Sequence, residues 1–407
     1  MENKDTRVVV TGVNLVTPIG LDRNEFWENA LKGISGIKEI TLFSTEDCYS
    51  KIGAIIPDFK YKLNDRLTLP FSSKYTRIYK SMFLCLDGLI EDAGLKLNKR
   101  GTNPVGLFLG HHSNPDIYNI WRHMTKTQVF KLREYLEIWE INDLAYKLAS
   151  RYRINGPAAS FFGGCGSGAY ALADAFFKIK NNEISQAIAG AGSLLSDVYF
   201  SLLDRLDAIS NKGCFPYDQR SDGIVLGEAV GFLLLESLEA AEKRGAHIYC
   251  EVLGCGLWGE SESLQVPLPT GGPLAKAIEH ALNESRVEAG DIDHINLMGV
   301  SDPKTDLDET LAIKKVFKEK AYQVSTSTIT PYTAHPLGAA AFIHACAAIL
   351  MLDRGTILPT LNLEEPLPGC DLDYTPHAPV KKDINTLMNI GYGYGGNNCV
   401  IIFRKQL

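Results

Sequence analysis

The sequence has no Cys-x-x-Cys pair among its nine cysteines, no basic excess and no apolar run that approaches 18 residues. Each absence excludes something. Without closely paired cysteines a zinc ribbon or dithiol centre has no ligand set. An odd number of irregularly spaced thiols reads instead as reduced and mostly buried. A net charge of −7 argues against general nucleic-acid binding, which needs a basic face to neutralise phosphates, but leaves room for a small docking patch. With no long apolar run, no membrane span is expected. The N-terminal stretch carries acidic residues and leads directly into a β-branched segment, unlike a secretory signal, so a soluble cytoplasmic protein is expected. The 18 prolines and 36 glycines are scattered and mark no flexible linker.

What is present is ordinary globular composition, 45% apolar and 22% charged. The 407 residues exceed the ~250–300 at which a single core stops growing, so two lobes or a duplicated domain are expected. A β-branched run within 7–11, the apolar run 105–109, the segment 186–191, and the segments 231–236 and 249–254 that alternate Gly with strand formers predict strands. Helical patterns lie between them, at 22–31 with Asp22 as N-cap and at 72–93. The second half repeats the theme, with helices at 274–285, 306–317 and 337–352 and strands at 294–297, 324–326, 387–390 and 399–403. Alternation of this kind is the α/β class. Each half holds one helix rich in Gly and Ala with few charges, 166–178 and 337–352, and small residues let two such helices approach closely at a buried centre. The pattern indicates an internal duplication.

Cys165 opens the first of these helices, in Gly163-Gly164-Cys165-Gly166-Ser167-Gly168. A thiol at a helix N-terminus is expected to have a lowered pKa, and its glycine flanks admit a substrate and leave N–H groups for an oxyanion. The bland alternative is a small core thiol beside a turn. His335 opens the second helix, in Thr333-Ala334-His335-Pro336-Leu337-Gly338, with Pro336 fitting the first helical position. It can donate a hydrogen bond to a thioester oxygen or take a proton; the alternative is a structural histidine. Equivalent helix starts in a duplicated fold converge near the pseudo-twofold axis, so the pair is the best active-site candidate. Ser167 does not fit a nucleophile elbow, because the spacing centres Gly rather than Ser, and a serine hydrolase is discarded.

With those residues in place, the chain resembles the elongating β-ketoacyl-acyl-carrier-protein synthases and their type II polyketide relatives. The likeness covers nearly the whole chain. It runs through Arg7-Val8-Val9-Val10-Thr11-Gly12, Gly156-Pro157, Pro216-Tyr217-Asp218, Asp222-Gly223, Leu226-Gly227-Glu228-Ala229, Arg244-Gly245-Ala246 and Gly393-Tyr394-Gly395-Gly396-Asn397-Asn398. The resemblance implies a thiolase-like αβαβα five-layered duplicated fold, with half 1–243 carrying Cys165 and half 244–407 carrying His335. It also implies an obligate dimer, no metal, and no cofactor beyond acyl groups delivered on the phosphopantetheine of an acyl carrier protein.

The resemblance makes Cys165 the acyl nucleophile and His335 one of two catalytic histidines. The other belongs to a motif read as N-x-H-G-T-x-T, which here is Asn296-Leu297-Met298-Gly299-Val300-Ser301-Asp302. Met298 replaces the histidine, and a supporting lysine is absent from the stretch after Val324, while the acidic pair Asp306 and Glu309 is retained. A thioether donates no hydrogen bond to the enolate of a decarboxylating malonyl thioester. Two readings result: a chain-length-factor-like partner of an active ketosynthase, against which the retained Cys165 counts, or an unusual self-acting synthase or acyltransferase using Cys165 and His335. A non-catalytic interaction module is a third. A thiolase proper would call for a second cysteine, and Cys399 lies just past the glycine loop, but that loop fits the ketosynthase pattern better.

By the same resemblance, segment 111–140 lines the acyl tunnel and dimer seam, where Tyr118, Trp121 and Trp139 would plug or reshape the pocket, unless they are ordinary interface packing. The adjacent His111 and His112 cannot face one way on a strand, which disfavours a metal. Tyr394 matches the aromatic gate, followed by Gly395 and Gly396 of the oxyanion loop, and its hydroxyl makes the gate more polar. Lys74, Arg77 and Arg205 match the carrier-docking face; a merely solvated surface is the alternative. The dimer is either homomeric or formed with an active ketosynthase.

Overall fold

The structure is a computed structural model that describes residues 6–59, 77–97, 104–111, 143–260 and 269–406. Its N-terminal strands are β1 (Val8–Val16), the short pair β2 (Ile37–Glu39) and β3 (Ile52–Ala54), then β4 (Val105–His111), β5 (Ala158–Phe161), β6 (Gln186–Ser193) and β7 (Ala229–Ser237). Between them lie α1 (Arg23–Leu31), α2 (Arg77–Ala93), α3 (Asp143–Tyr152), α4 (Ser167–Lys180) and α5 (Asp197–Arg205), and α6 (Leu238–Lys243) follows. The remainder contains β8 (Cys250–Gly259), α7 (Gly272–Ser285), β9 (His294–Asn296), α8 (Pro303–Phe317), β10 (Ser325–Ser327), the single turn α9 (Thr330–Thr333) and α10 (Ala340–Arg354). It closes with the small pair β11 (Thr356–Ile357) and β12 (Val380–Lys381), then β13 (Thr386–Gly393) and β14 (Asn397–Arg404).

Ten strands join in the order β10-β9-β13-β14-β8-β1-β7-β6-β4-β5. Counted within its own half, each set of five reads third, second, fourth, fifth, first, so the two halves share one topology. They meet where Val8, Val9 and Val10 of β1 pair antiparallel with Val252, Glu251 and Cys250 of β8. All nine residues of β1 are buried, the near-continuous apolar signature of a strand covered on both faces. Helix α2 covers the outer face of β1 and β7, and α7 that of β8 and β14. Helices α4 and α10 pack on each other between the two sheet halves, which gives the αβαβα layering.

The two central helices touch because their contact is nearly all backbone and methyl groups. A Cβ on Gly168 would lie 2.6 Å from the Cβ of Phe342 and 2.8 Å from that of Ala191. Asp22 caps α1 as expected, accepting from the N–H groups of Asn24 and Glu25. Two expectations are corrected. The stretch Leu337–Arg354 is long and apolar enough to cross a membrane by length and composition, so such a segment does exist. It is the central core helix, buried on all sides from Ala340 to Leu352. Nor does Pro336 start that helix: residues Leu337–Ala339 form a 3-10 turn and α10 begins at Ala340. Leu337 itself has φ +44°, which breaks regular helix at that point.

Candidate active site

Cys165 sits in the turn between β5 and α4, and its placement is set by backbone interlock. Gly164 has φ +61°, and a Cβ there would lie 2.9 Å from the carbonyl oxygen of Tyr394. From the other side, a Cβ on Gly393 would lie 2.7 Å from the Cys165 nitrogen and 2.8 Å from that of Gly166. Only glycines allow the two loops to approach so closely. Ser167 straps the turn: its hydroxyl donates to the Gly164 carbonyl at 2.6 Å and accepts from the Gly163 N–H at 2.9 Å. Asn397 adds a bond from Nδ2 to the Gly163 carbonyl at 3.2 Å.

The thiol is 8% exposed, and burial pushes its pKa up to about 11. The backbone N–H groups of Tyr394 and Cys165 pull the other way but lose to desolvation. Burial therefore outweighs the lowering expected from the helix N-terminus and favours the protonated thiol.

His335 is held by strand-like pairing rather than by a helix. Its N–H donates to the Val225 carbonyl at 2.8 Å, and its carbonyl accepts from the Gly227 N–H at 3.1 Å. Gly227 is needed there, since a Cβ would lie 2.2 Å from the Thr333 carbonyl oxygen. The preceding Ala334 takes φ 56°, ψ −164°, a region natural only to glycine. Cys165 and His335 open on one cavity of about 320 Å³, shared with Tyr199 and Leu203 of α5, Val300, Asp308, Glu260, Tyr392 and the Tyr394–Gly396 loop.

Met298 is wholly buried and is not among the residues lining that cavity. Its loop is tied through backbone groups, which do not depend on the side chain at 298. The N–H groups of Met298 and Gly299 donate to Glu309 at 2.9 and 3.1 Å, and that of Val300 to Asp306 at 2.9 Å. Glu309 also accepts from the hydroxyls of Tyr217 at 2.5 Å and Tyr392 at 3.1 Å. The retained acidic pair is thus the anchor of this loop. Burial raises both carboxyl pKa values, against the donors that surround them. Behind the loop, the Met298 carbonyl accepts from Thr328 at 2.9 Å and Thr330 at 2.6 Å. Thr330 lies 3.2 Å from Nε2 of His344, whose Nδ1 is 2.8 Å from the Leu297 carbonyl. Burial depresses this imidazole to about 4. Sequence reasoning missed His344 and weighed Ser167 only as a nucleophile; the legible signal for His344 was a single imidazole inside an otherwise apolar helix, which must find partners.

Of the remaining expected site residues, Tyr394, Gly395 and Gly396 share the cavity of Cys165 and His335, and the other described ones lie elsewhere. Tyr394 is 38% exposed in the cavity wall, and Gly395 and Gly396 follow it at φ +88° and +75°. Arg77 faces inward: Nη2 donates to Glu228 at 2.6 Å and to the Ile56 carbonyl at 2.9 Å, and Nη1 also bonds Glu228. Arg77 is thus a part-exposed partner of the buried Glu228. Arg205 is exposed in the last turn of α5, 3.4 Å from the Asp47 carbonyl. His111 ends β4, buried against the Phe162 ring. Lys74, His112, Tyr118, Trp121 and Trp139 lie outside the described residues.

Comparison with known proteins bears on this geometry. Residues 5–241 match the family model "Beta-ketoacyl synthase, N-terminal domain" and residues 249–364 its C-terminal domain. The chain is 28% identical to the 3-oxoacyl-[acyl-carrier-protein] synthase 2 of Staphylococcus aureus (strain COL), over 99% of each chain. Among solved structures it resembles the ishigamide ketosynthase/chain length factor, with TM-score 0.90 and 26% identity over 99% of this chain and 100% of that one. It is also similar, at TM-score 0.89 and 25% identity over 99% and 100%, to a chain from an apo complex of a type II polyketide synthase acyl-carrier protein with its ketosynthase bound to the hexaketide. A buried cysteine and histidine converging on one cavity between two topologically equivalent halves therefore have the expected relatives, and this chain belongs to the beta-ketoacyl synthase family.

Proposed function

We propose that this chain is a subunit of a cytoplasmic type II fatty-acid or polyketide synthase and works as a chain-length-factor-like partner. It would shape the acyl pocket of an active ketosynthase during decarboxylative Claisen condensation with malonyl carrier protein. The observation that carries this reading is that His335 is the one imidazole lining the described cavity, while position 298 holds a buried thioether. Removing one oxyanion donor typically costs ~10²–10³ in rate. Condensation is the step that suffers, because it develops full enolate charge.

Pairing is supported by β5, which ends the sheet with β4 as its sole described neighbour and is followed by Phe162 at 56% exposure. An edge strand of this kind is a template for a second sheet. Acyl groups would arrive on a carrier protein's phosphopantetheine, with no other cofactor, and Arg205 would contribute to docking an acidic carrier. The halves 1–243 and 244–407 would each supply one member of the pair.

A second reading, that the chain accepts acyl groups itself, is favoured by Cys165 and His335 facing one cavity. The test is incubation with acyl- and malonyl-carrier protein, alone and with a ketosynthase encoded beside it, followed by intact mass and carbon dioxide release. No turnover alone, with product length set by this subunit in a mixed dimer, supports the partner role. Carbon dioxide release by the chain alone refutes it.

A further inference from the structure

We infer that the Tyr394 hydroxyl is the second hydrogen-bond donor of the cavity, directed at the carbonyl oxygen of a thioester presented to Cys165. The inference rests on the second reading, that Cys165 accepts acyl groups, and adds a catalytic residue to it. Tyr394 lines the cavity together with Cys165, His335 and Val300 of the loop that carries Met298. Met298 offers no donor, so the described cavity has one imidazole, His335, and three phenols, Tyr199, Tyr392 and Tyr394, of which the Tyr392 hydroxyl is already committed to Glu309. Tyrosine is a donor of the required kind, and Tyr, His and Asn side chains all serve oxyanions elsewhere.

The phenol is placed by rigid backbone. The Tyr394 carbonyl packs on Gly164, and a Cβ at Gly396 would lie 2.5 Å from the Glu260 carbonyl, so the loop is pinned on both sides. The Glu260 N–H donates to the Gly396 carbonyl at 2.8 Å. No residue of the described structure takes the phenolic hydrogen, and the side chain is 38% exposed, so the donor remains available to a ligand. Burial first, then the nearby Cys165 and Asp302, push its pKa to about 12. It therefore keeps its proton through the whole working range.

In the acylation step the Cys165 sulfur bonds to the acyl carbon and the carbonyl electron pair moves onto oxygen, where the phenol and backbone N–H groups hold it. Collapse re-forms the carbonyl and breaks the carbon–sulfur bond to the carrier. The departing carrier thiolate takes the proton that left Cys165, relayed by His335. The phenol donates a hydrogen bond throughout and transfers nothing.

The experiment compares wild type with Tyr394→Phe, which keeps the ring and removes the donor. Single-turnover acylation of Cys165 by acyl-carrier protein is followed by intact mass. Alkylation by iodoacetamide, which builds no oxyanion, is followed in parallel. The expected result is acylation slowed about 10²-fold, the loss typical of one oxyanion donor, with alkylation unchanged. Acylation at the wild-type rate overturns the inference. So does an equal fall in both reactions, since that would mean the thiol itself had moved. A wild-type protein that alkylates but never acylates refutes the reading beneath the inference, and the inference with it.

Discussion

Replacing Arg77 by methionine separates a docking arginine from a structural one. Its guanidinium forks onto Glu228, a carboxylate with no exposed side-chain surface, while Arg77 itself is 25% exposed. Glu228 also accepts from the N–H groups of Ile56 at 2.9 Å and Leu195 at 3.1 Å, so it ties the end of β3 and the start of α5 to α2. Arg77→Met leaves that carboxylate buried without its counter-charge. Breaking a buried pair from one side costs roughly 3–5 kcal/mol, and the partial exposure of Arg77 argues for the lower end, ~3 kcal/mol. With ~2.1 cal/mol/K of unfolding entropy per residue, 407 residues give roughly 0.85 kcal/mol/K, so the melting temperature should fall by about 3–4 °C. The double variant Arg77→Met, Glu228→Gln keeps an oxygen for the two N–H groups and removes the stranded charge. It should be less destabilised than Arg77→Met alone. Calorimetry of wild type, Arg77→Met, Glu228→Gln and the double variant, beside titration with carrier protein, decides the matter. An Arg77→Met protein that melts within about 1 °C of wild type but binds carrier more weakly would refute the buried-pair argument.

The Cys165 thiol, held up to about 11 by burial, should alkylate with iodoacetamide about tenfold faster per pH unit well beyond pH 8.5, where an ordinary thiol levels off. A plateau at that ordinary value would show the sulfur to be better solvated than its burial indicates. Ala334→Gly should raise the unfolding free energy by about 1 kcal/mol, because relief of ~1–3 kcal/mol of backbone strain outweighs the ~0.4–1 kcal/mol of added chain entropy in the unfolded state. Denaturant unfolding measures it, and a loss of stability would mean the methyl group packs better than its φ suggests. Gly168→Ala should destabilise by roughly 1–3 kcal/mol or more, since its Cβ would meet Phe342 at 2.6 Å and Ala191 at 2.8 Å. A variant as stable as wild type would show that the central helices can separate.

The sequence by itself determined what depends on local pattern. Alternating runs placed the strands and helices, with ends off by a few residues. Two Gly- and Ala-rich helices marked the centre, and the residues just ahead of them, Cys165 and His335, were legible as a pair that the fold brings to one cavity. Tertiary structure decided everything set by desolvation and by partners far along the chain. The helix-end position of Cys165 predicts a lowered pKa, but burial between two loops from opposite halves raises it. Arg77 reads as surface charge until Glu228, 151 positions away, turns it inward. Asp306 and Glu309 read as an acidic pair, and only the folded chain shows them gripping the backbone of the loop that carries Met298. Periodicity is a property of neighbouring residues, whereas the field around a buried group is the sum over all that surrounds it, and folding alone assembles that sum.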